Sequence, residues 1–166
     1  MTPPLDILTP AGQESLLQER QAIDALIRAR PRLRWVETDK ATPARLDGFL
    51  HLRRGQSDVL AAIVEVKCRN LSLDTLRDQY ENRWLITANK IADGITTAKM
   101  LGAPFIGLLH LVPDGLLLVQ KITHTDGTPA VDIRYETTTT QATINGGEAI
   151  RLNAFVDMSQ ASHYTI

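Results

Sequence analysis

The sequence contains little cysteine, since Cys68 is alone among 166 residues. One cysteine excludes an internal disulfide framework and a zinc site built from four cysteines. The sequence also lacks an apolar run long enough to span a bilayer. Its first residues, MTPPLDILTP, lack the cationic and apolar segments of a signal peptide. These absences predict a cytoplasmic protein with no membrane segment.

A strong excess of either charge is also missing. The chain has 18 Lys and Arg residues against 19 Asp and Glu residues, which gives a formal net charge of -1. Several arginines cluster between residues 28 and 69, but such a run is most often a solvated face. Composition therefore permits a nucleic-acid partner without indicating one. An apolar content of 43% predicts a globular chain, with residues 1–166 in a single domain.

The first regular pattern is a helix over about residues 12–30. Its apolar residues recur at helical spacing, and Pro31 ends it. Three strands are predicted next: LRWVET from Leu33, an alternating strand over about 44–54, and a strand over about 58–69. A five-residue loop containing glycine joins the second strand to the third.

The second half of the chain adds one long helix and several strands. The pattern predicts a helix over about 88–101, a buried strand over 104–111 and a hairpin into 116–122. Residues 84–87 are ambiguous between a strand and a helix start. Further strands are predicted over about 131–140 and 148–158, with a turn at 145–147.

This order of elements predicts an α/β fold. We expect a mixed central β-sheet flanked by helices, with a core over about residues 12–122. The strands after residue 122 are predicted to form extra C-terminal β-hairpins over about 123–166. The sequence shows no internal repeat, no linker and no second domain.

The stretch IVEVKCRN places an acid and a base at the end of an apolar strand. Side chains alternate along a strand, so Glu65 and Lys67 share a face. If Arg53 pairs with Val59 across the loop, Asp47 falls directly opposite Glu65 and on the same face. Two carboxylates this close repel each other, and a divalent metal between them removes the conflict.

Such a pair of carboxylates suits magnesium, which prefers oxygen ligands completed by water. Lys67, one pleat away, can neutralise charge on a phosphate or help deprotonate an attacking water. These residues together predict hydrolysis of a phosphodiester. The alternative is that Glu65 and Lys67 form a solvent-facing ion pair worth under about 1 kcal/mol.

Asp47-Gly48 followed by Glu65-Val66-Lys67 resembles the signature of the PD-(D/E)XK nuclease superfamily. This superfamily includes type II restriction endonucleases, archaeal Holliday-junction resolvases and phage exonucleases. Its core order, αβββαβ, is similar to the order predicted here for about residues 12–111. The resemblance implies a restriction-endonuclease-like fold and a DNA nuclease, in particular an endonuclease, that depends on Mg²⁺ or Mn²⁺. Leu46 stands where the superfamily has its nominal proline.

The same resemblance implies roles for individual residues. Asp47 and Glu65 would be metal ligands, with the Val66 carbonyl as a third, and Lys67 would be the catalytic lysine. Many members add an acid from the first helix, for which Glu19 is the candidate and Glu14 the alternative.

Basic residues near the predicted site are candidates for contacting DNA. These nucleic-acid-binding candidates are Arg45, Arg53, Arg54, Arg69 and Lys90. Cutting both strands of a duplex would favour a homodimer with two-fold symmetry. Two other interpretations remain open: an inactive scaffold of the same fold that binds nucleic acid or protein, and an unrelated α/β module whose Thr-rich hairpins mediate assembly.

Overall fold

The computed structural model describes residues 9–39, 44–140 and 149–166. It contains three α-helices and nine strands within those ranges. In chain order they are α1 (Pro10–Ala29), β1 (Leu33–Glu37), β2 (Gly48–Arg54), β3 (Ser57–Arg69), α2 (Leu73–Asp78), β4 (Arg83–Thr87), α3 (Ala88–Leu101), β5 (Phe105–Leu111), β6 (Leu116–Lys121), β7 (Ile133–Thr140), β8 (Ala149–Asp157) and β9 (Ser162–Thr165).

Helix α1 begins where the local chemistry favours a helix start. The Thr9 side chain accepts a hydrogen bond from the Gly12 amide at 3.0 Å, and Pro10 occupies the first turn. Its buried face, which includes Ile23 and Leu26, packs on one side of the central sheet. No helix in the described part of the chain is long and apolar enough to cross a bilayer.

The central sheet has six strands in the order β1-β2-β3-β5-β6-β9. The β3 and β5 strands run parallel, whereas the other neighbours pair antiparallel. The predicted mixed α/β sheet flanked by helices is therefore confirmed. Within it, α1, β1, β2, β3, α3 and β5 form the αβββαβ order, with α2 and β4 inserted before α3.

The connection between β2 and β3 differs from the predicted loop. Arg54 pairs directly with Ser57, so the turn is tight and the expectation of a five-residue loop is wrong. Gly55 occupies the positive-φ position that such a turn requires, at 63°. A bulge at Leu50/His51 then shifts the register by one residue, and Gly48 pairs with Val64. The start of β2 therefore pairs with β3 in the predicted register, although the loop is shorter than predicted.

The strands after residue 122 divide between two sheets. β7 and β8 join β4 in a small three-stranded sheet of order β4-β8-β7, whereas β9 pairs with β6 at the edge of the central sheet. Residues 84–87, ambiguous in sequence, lie in β4. The predicted turn at 145–147 lies outside the described residues.

Two hydrophobic clusters cover the two faces of the central sheet. Val64, Val66 and Leu108 pack with α1, whereas Ile63 and Phe105 pack with residues of α3 and the small sheet. Successive β3 residues alternate between the clusters, as expected for a strand covered on both sides. The face of Ile63 is also the face of Glu65, which therefore points toward α3 and the small sheet.

Gly107 on β5 makes room for the indole of Trp84 on this face. A Cβ built at Gly107 would overlap the Trp84 ring and lie 3.1 Å from Ile122 Cδ1. We expect Gly107→Ala to lower the free energy of unfolding by about 1–3 kcal/mol, because the added methyl overpacks the core. Urea denaturation measures this, with Ser162→Ala on the exposed β9 edge as the control. Equal stability of Gly107→Ala and wild type would contradict the close packing.

Candidate active site

The site lies where β3 extends past the beginning of β2. The last β2–β3 register pair is Gly48 with Val64, so β3 continues from Glu65 to Arg69 without a β2 partner. The Asp47 side chain replaces the missing β2 backbone partner, because its Oδ2 accepts a hydrogen bond from the Val66 amide at 2.8 Å. The N–H and C=O of one strand residue point to the same side. The Val66 carbonyl therefore faces the strand edge at which Asp47 lies.

Glu65 is fully buried and faces two lysines. Lys90 Nζ donates to Glu65 Oε2 at 3.1 Å and to the Ala44 carbonyl at 3.2 Å. Lys67 Nζ lies 3.1 Å from Glu65 Oε1 and forms an ion pair with it. Each carboxylate oxygen of Glu65 thus lies 3.1 Å from an ammonium group. The ion pair of Glu65 and Lys67 is therefore present, but it is not the solvent-facing pair of the alternative interpretation, because Glu65 has no solvent exposure.

Glu65 and Lys67 each shift the pKa of the other. Burial, with a contribution from Asp47, raises the pKa of Glu65 more than Lys67 and Lys90 lower it. Burial by itself lowers the pKa of Lys67, but the carboxylates of Glu65 and Asp47 outweigh it and raise that pKa. The lysine is therefore held in its charged form, while a bound cation would favour the ionised form of Glu65.

Glu19 approaches the same region from α1. Its carboxylate contributes to the raised pKa of Lys67 and, after burial, to raising the pKa of Cys68 to about 12. Glu14 is exposed and accepts a hydrogen bond from Gln18 at 3.4 Å. Of the two helix acids, the structure thus brings Glu19 within electrostatic reach of Lys67.

The donor groups at this point fit a divalent cation that keeps part of its water shell. In residues 9–39, 44–140 and 149–166, no group of three or more His, Cys, Asp or Glu side chains could hold a metal. Asp47 and Glu65 offer two carboxylates, and the Val66 carbonyl adds a backbone oxygen at the same edge. Magnesium commonly binds through one or two carboxylates and retains several waters.

The predicted DNA-contacting residues are not all near these carboxylates. Arg45 is exposed and lies 3.4 Å from Asp93, beside the Ala44 carbonyl that binds Lys90. Arg69 ends β3 on the face of Lys67. Arg53 and Arg54 lie at the opposite end of β2, about 20 Å from Gly48 along the strand. Lys90 forms an ion pair with Glu65, and 24% of its side chain is exposed.

Sequence patterns did not reveal the contact between Lys90 and Glu65. Lys90 lies in the first turn of α3, and its only sequence signal is a lysine just after the strand that precedes the helix. The two residues are 25 positions apart, so their contact depends on how α3 packs against β3.

Two nucleases of known structure are similar to this chain. No protein-family model matches the sequence, and no curated protein matches it. One similar solved structure is Hjc, a Holliday junction resolvase from the archaeal hyperthermophile Archaeoglobus fulgidus. It has a TM-score of 0.41 and 16% identity over 61% of this chain and 74% of that chain. Another is a nuclease from a fusellovirus, with a TM-score of 0.46 and 13% identity over 94% of this chain and 89% of that chain. Neither likeness carries an argument about function.

The raised pKa of Glu65 predicts a specific dependence of stability on pH. A carboxyl whose pKa is raised on folding stabilises the protein below its unfolded value, here 4.5, and this contribution is lost as pH rises through the folded pKa. Glu65→Gln removes the titration. We therefore expect wild type to lose stability relative to Glu65→Gln over the range of pH above 4.5. Urea unfolding of both proteins across that range measures the difference, and parallel curves would contradict it.

Proposed function

We propose that this protein is a metal-dependent nuclease that hydrolyses phosphodiester bonds of DNA, in the manner of an endonuclease. The observation that carries the proposal is the meeting of two carboxylates and a charged lysine at the end of β3. A purely structural sheet avoids placing Asp47 and Glu65 together, because like charges in a buried site raise each other's energy.

Asp47, Glu65 and the Val66 carbonyl would hold Mg²⁺ or Mn²⁺. When bound, such an ion supplies a polarised phosphate and a more acidic water. Lys67 is suited to donate hydrogen bonds to a phosphate oxygen or to the attacking water, because its raised pKa keeps the proton on Nζ. Glu19 would assist from α1 by orienting Lys67 or a water.

Arg45 and Arg69 are the basic residues best placed to contact the DNA backbone near this site. Arg53 and Arg54 would reach DNA only where it extends along β2, so their contribution is to affinity. A homodimer with two-fold symmetry would let two such sites cut the two strands.

A second candidate is a scaffold of this fold that binds nucleic acid without cutting it. One observation favours it: each Glu65 oxygen already has an ammonium group 3.1 Å away. That arrangement can persist as a closed structural network. Metal binding separates the two candidates.

Metal binding is tested by thermal unfolding. We expect Mg²⁺ or Mn²⁺ to raise the melting temperature of wild type as its concentration rises, since an ion that binds only the folded state stabilises it by mass action. Glu65→Gln should abolish this rise. Glu37→Gln, an exposed acid on β1, is the matched control and should behave as wild type. A wild-type melting temperature that ignores millimolar ion would favour the scaffold.

Cleavage is tested with the purified protein, magnesium and DNA. We expect nicking or degradation, and a loss of at least about a hundredfold in rate for Lys67→Ala, which removes a donor aimed at developing charge. Lys67→Ala should still show the metal-induced rise in melting temperature.

A second variant, Asp47→Asn, keeps the shape of the side chain and removes its charge. We expect it to lose cleavage, because it removes a proposed metal ligand. If Asp47→Asn cut DNA as fast as wild type, the assignment of the active site would be wrong. If neither DNA nor RNA were cut with any divalent ion, the scaffold would be the better description.

A further inference from the structure

A cleft of about 690 Å³ lies between the end of β3 and the small sheet. It opens beside the candidate active site, because its lining residue Leu109 is the register partner of Lys67. Leu71 and Leu85, both partly exposed, offer apolar surface to it, and the buried Leu76 and Trp84 lie behind them. Its volume lies within the usual range of ligand sites, about 300–1,000 Å³.

Arg69 brings an uncompensated positive charge to this cleft. It lies on the same face as Lys67 and about 6.6 Å further along β3. Its hydrogen bond to the Cys68 carbonyl, at 3.4 Å, is the only one it makes in the described ranges, where no carboxylate pairs with it. The side chain is half-buried, and burial lowers the pKa of its guanidinium.

Arg83 lines the same cleft but, unlike Arg69, has a carboxylate partner. Its guanidinium lies 2.7 Å from Asp132 Oδ2 and donates to the Phe155 carbonyl at 3.3 Å. Among the described residues, the cleft therefore holds one guanidinium paired with a carboxylate and one without a counter-ion. A half-buried cation without a partner is stabilised by a bound anion, and the planar guanidinium matches a phosphate group.

The remaining lining groups suit a nucleoside better than a bare anion. Tyr80, half exposed after the end of α2, offers an aromatic face on which a base can stack. Thr139 on β7 is an exposed lining residue on the other side, whereas the Thr138 hydroxyl accepts a hydrogen bond from Asn153 at 2.7 Å. A small inorganic anion would leave the apolar wall of the cleft uncovered.

We propose that this cleft binds one unpaired nucleotide of the substrate strand, with its phosphate on Arg69 and its base between Tyr80 and the apolar wall. Its place beside the cleaved bond rests on the proposed nuclease function. A base that is paired and stacked in a duplex cannot enter a cleft bounded by two sheets without leaving the stack. The preferred substrate is therefore single-stranded DNA, or DNA with an unpaired strand next to the cut.

Binding is tested first without metal and without cleavage. Calorimetry of the full chain in chelator compares deoxyadenosine monophosphate, inorganic phosphate and deoxyadenosine. We expect the nucleotide to bind more tightly than either of its parts. No detectable binding of the nucleotide at millimolar concentration would overturn the inference.

Three variants separate the phosphate from the nucleoside contacts. Arg69→Met should weaken the nucleotide and inorganic phosphate by at least about tenfold, through the lost charge-assisted contact. Thr139→Trp, which fills the cleft from an exposed strand position, should weaken the nucleotide but not phosphate. Arg28→Met, exposed on α1, is the charge-matched control and should change neither. Unchanged nucleotide binding in Arg69→Met or in Thr139→Trp would overturn the inference.

Cleavage distinguishes this inference from the proposed function. We expect wild type to cut single-stranded or flapped DNA at least about tenfold faster than the same sequence as a duplex, and Thr139→Trp to lose that preference. If wild type cuts all three substrates equally, the cleft inference fails while the nuclease function stands. If nothing is cut but the nucleotide binds as described, the nuclease function fails and the binding site stands.

Discussion

The buried Glu65 carboxylate is the charge around which the site is organised. It has no solvent exposure, and an unpaired carboxylate in such a position costs several kcal/mol. Ammonium groups of Lys67 and Lys90 lie 3.1 Å from its two oxygens. Lys90 also donates to the Ala44 carbonyl. The Lys90 side chain therefore connects α3 with Glu65 on β3 and with the segment that leads to Asp47.

The mixed sheet creates the position that Glu65 occupies. β5 continues beside β3 on one edge, whereas β2 begins at Gly48 and leaves the other edge of β3 open from Glu65 onward. Asp47 fills the first vacant hydrogen bond of that edge with its side chain. Cover for Glu65 comes from packing nearby: Gly107, its register partner on β5, leaves space for the indole of Trp84. Asp47 and Glu65 thus lie together where β3 is paired with β5 along one edge and has no strand partner along the other.

The hairpin between β2 and β3 shows how a sequence argument can reach the correct register by an incorrect route. The predicted loop was too long, since Arg54 pairs with Ser57. The bulge opposite Leu50 and His51 shifts the pairing by one residue and so cancels the error in the loop length. Gly48 therefore pairs with Val64, and Asp47 lies at the level of Glu65. The extra residue is on β3, because Leu50 pairs with Ala62 and His51 with Leu60, which leaves Ala61 without a β2 partner.

The sequence by itself determined the features that depend on near neighbours. The spacing of apolar residues predicted α1 and α3, and the alternation along β3 put Glu65 and Lys67 on one face. Only the tertiary structure decided the features that join distant residues. These are the contact of Lys90 with Glu65, the approach of Glu19, the return of β9 to the edge of the central sheet, and the cleft between Arg69 and the small sheet. Each depends on packing between segments far apart in the chain, which no local pattern encodes.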